Sequence, residues 1–238
     1  MDHLPRIVLA IAEPEYETGK TLPVFAAQVL HSAFGFEIVE VGEDPVAADR
    51  LAGFADGLRE ADLLILSIRR RALHPTEMAA LKQYLAAGRP LVGVRTANHA
   101  FAMRPGQSPP QGHLTWPEFD AQVLGGNYTG HHGHGPKTTI TMAPQAAQHP
   151  IVKGVVTPFV AHGSLYKVSP LRSGATPLLI GRIVGAEPEP VAWTHMHGRS
   201  RVFYTSLGHK YDFREPSFIA LLRNAVLWAL EHEPPADE

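Results

Sequence analysis

The chain has 238 residues, of which 45% are apolar and 18% charged, a size and composition that suit one α/β domain and exclude a largely disordered protein. The net charge of -2 gives no broad basic surface, so the composition does not support binding to nucleic acid or to an anionic membrane. Cysteine is absent, which excludes disulfides, thiolate zinc sites and a cysteine nucleophile.

The first half alternates strand-like and helix-like segments, a pattern that predicts parallel βαβ units with helices on both faces of a sheet. Helices are predicted over residues 22–33 and 75–87. Between these two helices, Asp44 and Pro45 predict the N-cap and the first position of a short helix. Apolar runs predict buried strands at residues 6–11, 36–41, 62–68 and 91–94.

The second half begins with a proline-rich stretch after Thr96, which predicts a loop-rich insertion beside the carboxyl edge of the sheet. A final amphipathic helix is predicted over residues 216–231, and the tail from Glu233 is expected to fray. The whole of residues 1–238 is predicted to form one domain with its core at about 6–232. Strands are predicted at residues 137–142, 159–161, 177–180, 191–195 and 201–206, the last two as a hairpin through Gly198.

The N-terminal segment holds only a short apolar run, broken by Glu13 and Pro14. This run is too short for a secretion signal, so it is predicted to be a buried strand of a cytoplasmic protein. A secretory leader removed beforehand would leave the same sequence.

Ligands of open parallel sheets bind where the strands end at their carboxyl edge, so the loops that follow the strands are the first candidates for a site. The turn after the fourth strand carries Arg95, Thr96 and His99, and in related folds this turn exposes a nucleophile. Thr96 is either a reactive hydroxyl or a turn residue bonded to its own backbone. Arg69 to Arg71 form a solvated charge cluster, or one of them pairs with a ligand carboxylate or phosphate.

Histidine is concentrated in the second half, where ten of the fourteen lie between His99 and His209. Neutral imidazoles suit zinc and other divalent ions, and alternate residues of an extended segment share a face. A metal site and a solvated glycine-rich loop both remain open, because no HExxH-like spacing occurs. The predicted metal ligands are His99, His131, His132 and His134, with Tyr128 close by.

Two later segments also end at the predicted site. Trp193 is either a core residue or an aromatic face that stacks on a sugar ring. His209 follows Gly208 in a loop, which favours an accessible imidazole.

Several short motifs, in this order and spacing, together resemble one known family. They are GVRTANHAF from Gly93, WPEFDAQVLGGNYTGHHG from Trp116, HPI from His149, GSLYK from Gly163, EPVAWT from Glu189, and RVFYTSLGH from Arg201 followed by DF. The sequence resembles the ThuA-like family, named for trehalose utilisation, over residues 6–230.

This resemblance implies a class I glutamine-amidotransferase-like fold, with a flavodoxin-like, doubly wound and mostly parallel sheet. The Arg95-Thr96 turn would stand where amidotransferases keep their cysteine, so glutamine hydrolysis is not expected. The resemblance also implies a role in the catabolism of disaccharides or their keto forms. It places the pocket at Arg95, His99, Tyr128, His131, Trp193 and His209.

Two functions are compatible with these residues. The first is a carbohydrate hydrolase, lyase or isomerase with His99, His209 and Arg95 as catalytic groups, assisted by a divalent metal such as zinc. In that hypothesis the substrate-binding residues are Tyr128, Trp193 and Thr96.

The second function is a sugar-binding or regulatory module without catalysis. For either function we expect a small-molecule sugar ligand, no nucleotide cofactor, no nucleic acid and no membrane, and a homo-oligomer remains open. A two-carboxylate glycosidase mechanism is not expected, since the nearby carboxylates are limited to Glu13, Glu15 and Asp212.

Overall fold

The structure is a computed structural model that describes residues 4–47 and 49–232. Its strands are β1 (Arg6–Ala12), β2 (Glu37–Glu43), β3 (Leu51–Ala52), β4 (Leu63–Ile68), β5 (Leu91–Val94), β6 (Gly130–His131), β7 (Thr138–Met142), β8 (Phe159–Ala161), β9 (Tyr166–Lys167), β10 (Thr176–Arg182), β11 (Glu189–His197) and β12 (Ser200–Thr205). Its helices are α1 (Thr18–Phe25), α2 (Ser32–Phe34), α3 (Phe54–Glu60), α4 (Pro75–Ala86) and α5 (Pro216–Ala229).

Ten of these strands form one mixed sheet in the order β3-β2-β1-β4-β5-β12-β11-β10-β7-β8. The five strands from β2 to β12 are parallel to one another. From β12 to β8 every pairing is antiparallel. The four strands predicted in the first half are therefore neighbours in a parallel arrangement, as expected, and their carboxyl ends share one edge.

The parallel strands are buried on both faces, which explains their continuous apolar sequences. In β1, Ile7 and Leu9 pack into one core with the helices α1 and α5, whereas Val8 and Ala10 pack into a second core with α3 and α4. Helices thus cover both faces of the parallel half, and the protein has a mixed α/β architecture.

The two long predicted helices are present, with α4 at Pro75–Ala86 and the last helix, α5, at Pro216–Ala229. The first helix begins at Thr18, earlier than predicted, and continues through a π-helical turn at Ala26–His31 into α2. It ends at Gly35, whose φ of 70° is the left-handed conformation that suits glycine at a helix end.

The helix predicted to begin at Asp44 and Pro45 is wrong, because the described residues between 44 and 53 contain no helix. The Asp44 carboxylate instead accepts hydrogen bonds from Val46 N at 2.8 Å and Ala47 N at 3.0 Å, which closes a local turn. The chain then adds β3 to the edge of β2, and the helix that follows begins at Phe54.

The later strands occur where they were predicted, and β11 and β12 form the expected hairpin through Gly198. Sequence patterns did not predict the two-residue ribbon in which β6 pairs with β9. The predicted fraying from Glu233 concerns residues outside those described. None of the helices within residues 4–47 and 49–232 is long and apolar enough to cross a membrane.

Candidate functional site

A pocket of about 440 Å³ opens at the carboxyl edge of the parallel half. The pocket lies at the end of β1, which has β2 as its neighbour on one side and β4 on the other. The chain runs from β1 to β2 and later returns to the opposite side of β1 as β4. Open α/β sheets bind ligands at such a reversal of strand order. Its walls come from the loops after β1, β4 and β5 and from the insertion. The lining residues are Glu15, Tyr16, Arg69, Arg70, His99, Arg104, Pro105, Tyr128, His131 and Tyr166.

A second depression, of about 490 Å³, lies between α1 and residues 210–219. It is a groove on a helical face and none of its lining residues is a histidine. The chemistry-bearing side chains converge instead on the smaller pocket at the sheet edge, which we therefore take as the candidate site.

Arg95 forms the sharp turn after β5. Its φ of 50° is rare for a residue with a side chain, and it begins the 3₁₀ turn Arg95–His99 that projects His99 into the pocket. The hydroxyl of Tyr204, from β12, donates to Arg95 O at 2.6 Å and fixes this turn. In this turn, where related folds expose a nucleophile, the residue with the strained backbone is thus Arg95. The neighbouring Thr96 is fully buried.

The Arg95 side chain runs beneath the pocket rather than into it. The guanidinium is buried and donates to Ser206 O and to Ser164 O, the latter at 3.1 Å. It packs against the rings of Tyr166 at 4.1 Å and Tyr16 at 4.5 Å, measured from Cζ to the ring centroid. Arg95 therefore supports two rings of the pocket wall through cation–π contacts.

This position of the guanidinium requires glycine at residue 163. A Cβ added to Gly163 would lie 2.7 Å from Cζ of Arg95, closer than any side chain tolerates. Three residues of the GSLYK segment thus surround the guanidinium of Arg95. Gly163 leaves space for it, Ser164 O accepts a hydrogen bond from it, and the ring of Tyr166 packs against it.

His99 lies at the inner wall of the pocket and is 5% exposed. Its Nδ1 is 2.6 Å from Asn98 Oδ1, an acceptor, so Nδ1 carries the proton and Nε2 the lone pair. Burial, followed by the charges of Arg70, Arg69 and Arg95, lowers the pKa of His99 to about 3. At neutral pH His99 is therefore an uncharged imidazole.

Tyr128 stacks on His99 with 4.7 Å between ring centroids and reaches Tyr166 at 4.9 Å. Its backbone N donates at 2.6 Å to the carboxylate of Asp120, which is buried. Burial raises the pKa of Asp120 to about 7, although the hydrogen bond from Tyr128 and the charge of Arg172 act in the opposite direction. Asp120 thus anchors the loop that carries the ring of Tyr128.

The short ribbon of β6 and β9 brings His131 and Tyr166 side by side, as directly paired residues. The His131 ring is exposed, lies 6.4 Å from the Tyr166 ring, and donates from Nδ1 to His132 O at 2.8 Å. Tyr166 and Tyr16 were not predicted as site residues. The GSLYK motif contained Tyr166, but two-residue strands are too short to predict from sequence periodicity.

The pocket contains more positive than negative charge. Arg69, Arg70 and Arg104 line it with one carboxylate, Glu15, and Arg69 Nε already pairs with Glu15 Oε2 at 2.6 Å. Glu13 is buried and its carboxylate accepts from Tyr16 N at 2.7 Å, so it holds the loop rather than facing a ligand.

His209 does not line the pocket, and its ring contacts that of Tyr16 edge-on, with 6.1 Å between the two ring centroids. Burial, partly offset by Asp212, lowers its pKa. The carboxylate of Asp212 accepts from the backbone N–H groups of Gly208, His209 and His162, at 2.9 to 3.0 Å, and so fixes this loop.

Trp193 does not line the pocket. It is fully buried, its Nε1 donates to Leu124 O at 2.7 Å and its ring packs on Tyr204 at 4.5 Å. Of the two roles considered from the sequence, the structure shows the core tryptophan. Thr96 is likewise buried away from the pocket, with its hydroxyl lacking a hydrogen-bond partner among the described residues.

The predicted metal ligands are brought together only in part. His99 and His131 line the pocket, whereas His132 and His134 do not, although the His131 and His134 rings lie 5.1 Å apart. Across the described ranges, no three His, Asp or Glu side chains are grouped so as to hold an ion. The four predicted histidine ligands are therefore not assembled around one point, and the divalent metal stays a prediction.

Comparisons with solved structures agree with this fold. A ThuA-like protein from Parabacteroides merdae superposes with a TM-score of 0.72 at 16% identity, over 99% of this chain and 93% of the other. A cytoplasmic protein from Salmonella typhimurium gives a TM-score of 0.59 at 13% identity, over 95% and 99% of the two chains. A β-galactosidase from Halorubrum lacusprofundi gives a TM-score of 0.60 at 15% identity, over 96% of this chain but 30% of the enzyme.

No curated protein matches the sequence. The family model described as ThuA, trehalose utilisation, matches residues 16–229, which includes every residue of the pocket except Glu15. The chain therefore belongs to the ThuA family of trehalose utilisation.

Proposed function

We propose that the pocket at the sheet edge binds a carbohydrate and that the protein acts on it as a hydrolase, lyase or isomerase. The observation that carries this proposal is the wall of rings formed by Tyr16, Tyr128, Tyr166 and His99 around a pocket of about 440 Å³. Aromatic rings pack against the apolar face of a sugar, and phenol and imidazole groups bond its hydroxyls. Membership of a trehalose-utilisation family supports the same ligand class.

The strand order around the pocket supports the flavodoxin-like, doubly wound assignment. The parallel strands run β2-β1-β4-β5-β12, and helices cover both faces. In such sheets the ligand occupies the carboxyl edge at the point where the strand order reverses, which is where the pocket opens.

The histidines of the pocket have different roles in this proposal. His131 is the exposed imidazole at the pocket, and histidine is the side chain best suited to transfer protons near neutral pH. His99, neutral because its pKa is lowered to about 3 by burial and neighbouring arginines, orients the substrate through Nε2 and does not serve as an acid. Arg95 and His209 act through Tyr16 and are positioning residues.

A glycosidase mechanism with two carboxylates does not suit the residues that line the pocket. It needs two carboxyl groups facing the scissile bond. Glu15 is ion-paired with Arg69, and Glu13 is used by the backbone of Tyr16. Proton transfer by imidazole with charge stabilisation by the arginines is the chemistry that these residues can supply.

The proposal is tested by incubating the purified protein with trehalose, other disaccharides and their keto forms and following product by mass spectrometry. We expect His131→Ala to lower kcat by about 100-fold or more, the usual contribution of general acid–base catalysis. His134→Ala, in the same loop but outside the pocket wall, is the matched control and is expected to keep kcat within about threefold.

The non-catalytic alternative has a different outcome. If trehalose or another sugar raises Tm without any product, and His99→Ala removes that stabilisation, the protein is a sugar-binding module on the same fold. An equal loss of activity in His131→Ala and His134→Ala would contradict the role assigned to His131.

The remaining predictions can be tested with the same protein. Calorimetry with zinc, manganese and nickel at neutral pH tests the divalent metal, and an affinity unchanged in His131→Ala would contradict its assignment as a ligand. Ammonia release from glutamine tests the absence of glutaminase activity, which we propose because the chain has no thiol nucleophile. A cytoplasmic location and a homo-oligomer stay predictions.

A further inference from the structure

The arginines of the pocket suggest what kind of sugar it takes. A neutral disaccharide needs hydrogen-bond donors and acceptors but no excess of cations. Here three arginines, Arg69, Arg70 and Arg104, face one pocket together with a single carboxylate. Since Glu15 offsets Arg69 at 2.6 Å, the positive charges of Arg70 and Arg104 remain.

Arg70 is held in place by the backbone around it. Its φ of 49° bends the chain after β4, and its N donates to His99 O at 3.1 Å. One guanidinium nitrogen, Nη1, lies 3.3 Å from Ala102 O and donates to it. The guanidinium is thus oriented by neutral acceptors, and its charge is not offset by a carboxylate among the described residues.

Arg104 belongs to the insertion and is exposed. In the described part of the chain neither Arg104 nor Arg70 forms an ion pair, although six other arginines do so. The arginines also act on one another, because both Arg69 and Arg104 lower the pKa of Arg70, after the larger effect of burial. Two arginines that line one pocket and form no ion pair within the described residues are an arrangement suited to binding an anion.

We infer that the ligand of this pocket carries an anionic group, a carboxylate or a phosphate, and that Arg70 and Arg104 bind it while the half-buried ring of Tyr128 contacts the rest of the molecule. The substrate class is then a sugar acid or a sugar phosphate. The inference rests on the proposed function for the carbohydrate part of the ligand, and on the arginines alone for the anion.

Calorimetry tests the inference with matched pairs of probes: glucose against glucuronate, trehalose against trehalose 6-phosphate, and inorganic phosphate alone. We expect an anionic sugar to bind roughly tenfold or more tightly than its neutral parent, the scale of a charge-assisted hydrogen bond. Rising salt should weaken the binding of the anionic sugar and leave the binding of the neutral one unchanged. Comparing glucuronate, a carboxylate, with trehalose 6-phosphate, a phosphate ester, shows which of the two anions the pocket binds.

Arg70→Gln and Arg104→Gln should each raise the Kd of the anionic sugar roughly tenfold. Arg59→Gln removes the same charge from an exposed position in α3 and is the matched control, with no change expected. Because Arg104 is exposed, its variant tests the inference even if Arg70→Gln fails to fold.

The outcomes separate the two proposals. Tight binding of inorganic phosphate, lost in Arg104→Gln, with no affinity for any sugar, supports the anion site and contradicts the carbohydrate function. Neutral and anionic sugars that bind equally well overturn the inference and leave the carbohydrate function standing. No heat from any anionic probe at millimolar concentration also overturns it.

Discussion

Replacing Gly163 with alanine is expected to lower the free energy of unfolding by about 1–3 kcal/mol, the usual cost of overpacking a buried site. The new Cβ would stand 2.7 Å from Cζ of Arg95. The guanidinium cannot retreat easily, since it is buried between Ser164 O, Ser206 O and the rings of Tyr16 and Tyr166. Either the chain around residue 163 or the guanidinium must move.

The same substitution is expected to impair ligand binding, because Arg95 supports two rings of the pocket wall. Urea unfolding gives the stability change, and calorimetry with the best sugar probe gives the binding change. Gly133→Ala is the matched control, since an added Cβ there meets nothing within 4 Å, and it should change stability by less than about 0.5 kcal/mol. Equal effects of the two substitutions would show that Arg95 does not depend on the space at Gly163.

Much of the fold could be predicted because long elements carry their own periodicity. The runs around Ile7 and Leu64 are apolar throughout, as expected of strands with helices on both faces. The candidate pocket opens at the edge that the topology predicts for a site, since loops after parallel strands meet there. The wrong helix at Asp44 shows the limit of this reasoning, because an aspartate before a proline favours both a helix start and a local turn.

The details of the site could not be predicted, for reasons specific to each residue. Tyr166 reaches the pocket through a ribbon of two residues a strand, which has no periodicity. Trp193 and Arg95 occur in recognisable motifs, but whether a side chain at a strand end points into a pocket or a core depends on its neighbours. Trp193 points into the core, where its ring packs on Tyr204 and its Nε1 donates to Leu124 O. The guanidinium of Arg95 is buried because Gly163 leaves room for it.

Asp120 and His99 should make opposite contributions to the pH dependence of stability. The pKa of Asp120 is raised in the folded state, from 3.8 to about 7, chiefly by burial. Between these values the folded protein binds a proton that the unfolded chain releases, so stability falls as pH rises. The pKa of His99 is lowered from 6.5 to about 3, so here the unfolded chain binds the extra proton and stability rises with pH.

Because the two contributions largely cancel in the native protein, the variant Asp120→Asn should reveal them. It keeps an acceptor for Tyr128 N without the buried charge. From pH 5 to 7 the stability of Asp120→Asn, relative to the native protein, should increase by about 1 kcal/mol per pH unit. Urea unfolding across this range measures the difference, and Asp56→Asn, at an exposed position, should give none. A difference independent of pH would mean that the Asp120 carboxyl is already ionised at pH 5, with its charge stabilised by Tyr128 N and Arg172 despite burial.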